Sequence, residues 1–188
     1  MPPRSRIDRE MIRDAAFTLV REQGIDALNA RTVASKLGCS TQPVMYHYAT
    51  MAELRQEVYA MADRMHTAYL MDMGPETQEP FLELGLRYIR FAAEEKHLFR
   101  FLFQSDGLGG AGLGAMMDSP ELAPVFGVMA QSGVPPEVGK QIFLGSFLTA
   151  HGMASLLANN AMTYDETLCV GTLSMMLEGL LSGMEDVK

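Results

Sequence analysis

An all-α fold is what this sequence predicts, and three observations predict it. Apolar residues recur three and four positions apart over most of the chain. No stretch shows the alternation with period two that marks a strand. Between the periodic stretches stand residues that start and stop helices: Asp8, Asn29, Ser40 and Thr50 as N-caps, Gly24 and Gly38 as stops. The count read this way is about nine helices.

Each element follows from its own residues. After Asp8, the residues Ile12, Ala15, Ala16, Leu19 and Val20 fall on one stripe, and Gly24 ends that helix. Asn29 caps ARTVASKL, in which Val33, Ala34 and Leu37 share a face, and Gly38 ends it. Ser40 caps a third segment with Pro43 in its first turn, where a missing N–H costs little. Thr50 and Glu53 form a capping box that starts a longer fourth helix. PFLELGLRYIRFAAEEK carries Phe81, Leu84, Leu86, Tyr88, Ile89 and Phe91 as its apolar members, with Arg87 and Arg90 expected outside. HLFRFLF is a short aromatic helix, and the Gly-rich stretch from Ser105 to Met117 reads as a loop. Pro135 and Pro136 open a long helix that the Asn159–Asn160 pair closes. A last helix begins at Thr163 or Asp165.

Composition narrows the function classes. The chain has 188 residues, 48% of them hydrophobic and 20% charged, which describes a globular protein with a substantial core. No uninterrupted apolar run approaches the ~20 residues that span a bilayer. MPPRSRIDRE lacks the apolar segment of a secretory signal, so a cytoplasmic protein without a membrane partner is expected. Cys39 and Cys169 then read as reduced thiols. The net charge is −8, but residues 1–48 hold seven basic and five acidic side chains, against eight and eighteen in residues 49–188. The basic end is the place to look for a polyanion.

Helices two and three, joined across Gly38, Cys39 and Ser40, have the helix-turn-helix arrangement. Cys39 is expected to plug the small core between them. The outward face of the third helix displays Thr41 and Gln42 at its start. Gln pairs bidentately with adenine, and Thr bonds a base or meets a thymine methyl. Pro43 stiffens the turn and offers an apolar contact. Tyr46 and His47 carry polar tips on rigid bodies, suited to the phosphate–sugar edge. The free N–H groups after Thr50 suit a phosphate. Arg31 and Lys36, with Arg4, Arg6 and Arg9 as an N-terminal arm, are expected to supply the attraction. Tyr48 is expected to turn inward.

Residues Ile7 to Tyr59 resemble the DNA-binding domain of the TetR family of bacterial transcriptional regulators. The resemblance rests on Ala15–Ala16, Gly24, Asn29, Arg31, Val33–Ala34, Gly38, Ser40, the His47–Tyr48 pair and Leu54. Met45 and Met51 depart from it, standing where that family often has an aromatic and a Lys. The resemblance implies a helix-turn-helix domain over 1–50 and an effector-binding, dimerising helical domain over 51–188. It implies a regulator, most often a repressor, that binds double-stranded DNA as a homodimer and responds to a small molecule. An all-α enzyme or an interaction module with an incidental helix-turn-helix is the alternative. No nucleophile–base pair, metal-ligand cluster or phosphate loop stands out, so no enzyme, metal or cofactor is expected.

A lipophilic pocket is expected from an aromatic set in the middle helices. Tyr88, Phe91, Phe99, Phe103, Phe143 and Phe147 are its candidates, each of which also reads as plain core. His151, alone in an apolar helix, reads either as a satisfied interior histidine or as the polar anchor of that pocket. His66 and His97 read as solvated or structural. Gly145, Ser146, Gly152, Ala154, Ser155, Gly171, Gly179 and Gly183 are small residues at helical spacing, read as a dimer interface.

Overall fold

The computed structural model describes residues 7–74, 77, 79–105, 117, 122–131 and 134–185. Arg4, Arg6 and all but the ends of the Ser105–Met117 loop lie outside those residues. The described residues form nine α-helices: α1 (Arg9–Gln23), α2 (Ala30–Lys36), α3 (Thr41–His47), α4 (Met51–Met71), α5 (Pro80–Glu94), α6 (Lys96–Phe103), α7 (Ala123–Gln131), α8 (Pro136–Ala158) and α9 (Glu166–Glu185). A 3-10 turn, Ile25–Ala27, follows α1. No strand is present among the described residues. The all-α expectation is met. Helix α7 was not assigned from the sequence, because Pro124 and Gly127 break its signal.

The capping chemistry operates as the sequence implies. Met11 N–H donates to Asp8 Oδ1 at 2.8 Å, and Arg31 and Thr32 N–H both donate to Asn29 Oδ1 at 3.1 Å. Leu168 N–H donates to Asp165 Oδ1 at 3.0 Å, which makes Asp165 the cap of α9. Ser40 is the exception. It occupies the N-cap position of α3, but its hydroxyl makes no capping bond. At α4, Glu53 N–H donates to Thr50 Oγ1 at 3.3 Å, while Glu53 Oε2 accepts from Ala49 N–H at 3.2 Å. The expected box therefore closes one residue early.

The chain packs as two compact units, residues 1–68 with 97–107, and residues 69–96 with 108–188. This partition by packing is not the division at residue 50 that the resemblance implies. In the first unit α4 buries Leu54, Val58 and Ala62, and α6 buries Leu98, Phe99, Phe101 and Leu102. A three-helix unit that stopped at residue 50 would lack the core these side chains supply. The stripe of α1 is buried as read: Ile12, Ala15, Ala16, Leu19 and Val20. Gly24, at φ +87°, sits where a Cβ would stand 3.1 Å from His97 Nδ1. Both the dihedral and the neighbour favour glycine there.

In the second unit α5, α8 and α9 pack together. Arg87 and Arg90 are not the exposed residues expected from the sequence. Arg87 Nε donates to Tyr69 O at 2.7 Å, and Arg90 reaches Tyr164 Oη at 3.0 Å, Glu83 at 3.0 Å and Glu166 at 2.6 Å. Arg90 loses hydration, yet its bonds to Tyr164 and Glu166 outweigh that loss and hold its pKa above the usual value. Helix α8 is, by length and composition alone, apolar enough to cross a membrane. Its Ile142, Phe143, Ala150, Met153 and Leu157 are buried within the unit.

Candidate nucleic-acid face and apolar cavity

The turn between α2 and α3 is a Schellman motif. Gly38 N–H donates to Ser35 O at 3.1 Å and Cys39 N–H to Ala34 O at 3.0 Å. Gly38 has φ +64°, and the space around it is open, so the backbone alone demands glycine. Cys39 is half-buried, so it plugs the joint only in part, and its thiol is free. Helix α3 is then held by one buried stripe. Val44 and Tyr48 are fully buried, and removing Val44 from water contributes roughly 1.5–2 kcal/mol.

Thr41, Gln42, Met45 and Tyr46 are the exposed residues of α3. Thr41 and Gln42 are exposed, Tyr46 is 78% exposed and Met45 is 45% exposed. Gln42 and Tyr46 lie on the side of the helix opposite Val44, while Thr41 and Met45 flank the buried stripe. Pro43 is half-buried, and Ser40 and Thr50 are exposed at either end of the helix. Arg31 is exposed on α2 and makes no side-chain ion pair among the described residues. The structure thus gathers Ser40, Thr41, Gln42 and Tyr46 on one surface and leaves their polar atoms accessible.

Three basic or polar candidates are less free than the sequence suggested. Lys36 Nζ pairs with Glu22 at 3.0 Å. His47 Nε2 lies 3.2 Å from Ile7 O, and the Tyr46 ring meets the His47 ring edge-on at 5.2 Å. Arg9 is not an arm residue at all. Its guanidinium bonds Glu53 at 2.6 Å, Glu57 at 3.0 Å through Nε, and His47 O at 2.7 Å, and it lies 4.2 Å over the Tyr48 ring. Tyr48 donates its hydroxyl to Glu57 Oε2 at 2.7 Å.

This network fixes the exit of α3 against α1 and α4. Arg9 holds Glu53 below the usual carboxylate range. For Glu57, burial pushes upward as the largest single effect, but the bonds from Tyr48 and Arg9 outweigh it and the pKa falls. Burial, then the bond to Glu57, raises Tyr48 above the ordinary phenol value. The sequence carried a hint in Glu53 and Glu57 at i, i+4, but nothing pointed to Arg9 as their partner.

The second unit holds an apolar cavity of about 160 Å³. Phe81, Leu84, Tyr88, Phe143, Phe147 and Ala150 form most of its wall. Phe143, Phe147 and His151 follow one another at i, i+4 and i+8 on α8. Phe143 stacks on Phe147 at 6.3 Å, and Phe147 stacks on His151 at 5.4 Å. From α5, Tyr88 meets Phe147 edge-on at 5.9 Å, and its Oη lies 2.9 Å from His151 Nδ1. Burial raises the Tyr88 phenol well above its usual range and lowers the His151 imidazolium. Burial thus favours a protonated phenol beside an uncharged ring, the two joined by one hydrogen bond.

Of the residues expected at a pocket, Tyr88, Phe143 and Phe147 line the cavity, and His151 stands behind it as a satisfied partner. Phe91 is fully buried and does not line it. Phe99 and Phe103 belong to the first unit, where Phe103 meets His66 edge-on at 5.0 Å. That His66 is buried, not solvated, and burial pushes its pKa down to about 4. Aromatic spacing alone does not separate these cases, because α6 repeats the same residue types as α8. Among the described residues no group of three His, Cys, Asp or Glu side chains could hold a metal ion.

A helix-turn-helix with an accessible third helix, followed by a helical unit with an apolar cavity, defines a two-part all-α architecture. No protein-family model matches the chain. Over 78 residues, 42% of the chain, it is 31% identical to the class D tetracycline repressor protein of Escherichia coli and equally so to the class H protein of Photobacterium damsela subsp. piscicida. The match spans 36% of the length of each of those relatives. In fold the chain is similar to a TetR variant from Acinetobacter baumannii AYE solved in complex with minocycline, with a TM-score of 0.58, 17% identity, and coverage of 96% of this chain and 98% of that one. The resemblance to the TetR family, read from residues Ile7 to Tyr59, is borne out in both sequence and fold.

Proposed function

We propose that the chain is a cytoplasmic DNA-binding regulator of TetR type, a repressor rather than an enzyme, released from its operator by a small apolar ligand. The observation that carries this reading is the outer face of α3. Thr41, Gln42, Met45 and Tyr46 stand exposed on a helix that the buried stripe of Val44 with Tyr48 anchors. A helix with one buried residue per turn and hydrogen-bonding tips outside is suited to a major groove. Ser40, Thr50 and Arg31 flank that face at the height of the phosphates.

A homodimer completes the reading. Leu148, Gly152 and Leu156 form an i, i+4, i+8 stripe on the outside of α8, and Leu168, Gly171, Met175 and Gly179 form another on α9. Leu148 is 53% exposed and Met175 is 75% exposed. A Cβ added at Gly152, Gly171 or Gly179 would meet nothing within this chain, which leaves room for close approach by a second copy. Gly145 differs: a Cβ added there would stand 2.7 Å from Leu180 Cδ1, so the glycine serves packing within the chain. Two α3 helices would then enter successive major grooves about 34–36 Å apart on a palindromic site.

The test is a gel-shift titration of the purified chain on the DNA upstream of its own gene. Gln42→Ala is expected to weaken binding by about 1–3 kcal/mol, the worth of a bidentate base contact. Tyr46→Ala is expected to weaken it less, and uniformly across sequences. Unchanged affinity in both variants, or no sequence preference in the wild type, overturns the reading.

A further inference from the structure

The cavity of the second unit specifies its guest more narrowly than the word effector does. We propose that it takes an uncharged, single-ring aromatic hydrocarbon or a molecule of that size and polarity. This inference rests on reading the cavity as the effector site.

Size argues first. A cavity of about 160 Å³ is comparable to the roughly 150 Å³ apolar cavity that stays dry and admits benzene. A fused, many-ringed ligand would have to extend beyond that volume. Wall chemistry argues next. Among the described residues the wall carries no Asp, Glu, Lys or Arg. Its two polar side chains already have hydrogen-bond partners. Tyr88 engages His151 at 2.9 Å, and Ser146 Oγ donates to Ile142 O at 2.7 Å. A carboxylate or ammonium entering here would lose hydration and meet no opposite charge among the described lining residues. Ring geometry argues third. Tyr88 and Phe147 stand edge-to-face, and Phe143 continues the stack, so an arriving arene meets both faces and edges of aromatic rings.

Isothermal titration calorimetry of the full-length chain, without DNA, tests this with toluene and with benzoate, its charged counterpart. Toluene is expected to bind with a sub-millimolar dissociation constant, and benzoate at least ten-fold more weakly. Ala150→Leu, which projects into the cavity from a buried position, is expected to cut toluene affinity at least ten-fold while helicity by circular dichroism is retained. Benzoate binding as tightly as toluene overturns the proposal, and so does the absence of any toluene heat in the wild type. Neither result bears on the gel shift. A chain that takes toluene but ignores DNA would instead remove the regulator reading and leave the cavity chemistry standing.

Discussion

At the scale of single residues, the candidate interface divides into groups that are ready and groups that are engaged. Gln42 and Tyr46 are exposed and need no rearrangement to meet a duplex. Lys36 must first leave Glu22, 3.0 Å away. An exposed ion pair of this kind is worth about 0.2–1 kcal/mol. Glu22→Gln is therefore expected to raise DNA affinity by about 1.4–5-fold, because it removes that competitor and one repulsive charge. Lys36→Met is expected to flatten the slope of log affinity against log salt by about one. Anisotropy titrations over a salt series read both effects. A slope unchanged by Lys36→Met would exclude a phosphate contact from Lys36.

At the scale of elements, the exit of α3 depends on Tyr48, whose hydroxyl reaches Glu57 on α4. Tyr48→Phe keeps the buried ring and removes the bond, so a loss of about 1 kcal/mol is expected at neutral pH. The sign of its pH dependence follows from Glu57, whose folded-state pKa is depressed. Stability from such a carboxylate is complete above its unfolded pKa and is lost as pH falls through the folded value. The gap between wild type and Tyr48→Phe should therefore shrink on acidification below the ordinary carboxylate range. Urea denaturation at several pH values measures it, and a gap that widens in acid would refute the assignment. Helix boundaries and cap residues were legible in the sequence because Asp8, Asn29, Gly38 and Asp165 act within one turn of their own position. The Arg9 network was not legible, since it joins residues 48 positions apart, and no local pattern encodes that distance. The same limit explains the aromatic set. Phe91, Phe99 and Phe103 share composition with Phe143 and Phe147, but only the packing of α5 on α8 leaves space beside the latter pair.

At the scale of the whole molecule, the proposed activity needs two copies. The exposed stripes of α8 and α9 give a specific expectation: the chain sediments as a dimer at micromolar concentration, and Leu156→Glu with Met175→Glu sediments as a folded monomer. Analytical ultracentrifugation with circular dichroism decides it. A wild type that is monomeric at those concentrations would sink the two-copy reading. One feature of the second unit reaches further. Gly85 lines the cavity, yet a Cβ at that position would stand 3.1 Å from Leu173 Cδ1, on the helix whose far side carries Met175. Cavity wall and the helix of the proposed interface are there separated by the thickness of one leucine. A descendant with Gly85→Ala would require the Leu173 side chain to give by a few tenths of an ångström, without any guest. On the regulator reading proposed above, a single inherited methyl group would then bear on the same helix that a guest in the cavity would reach, and one codon would suffice for it.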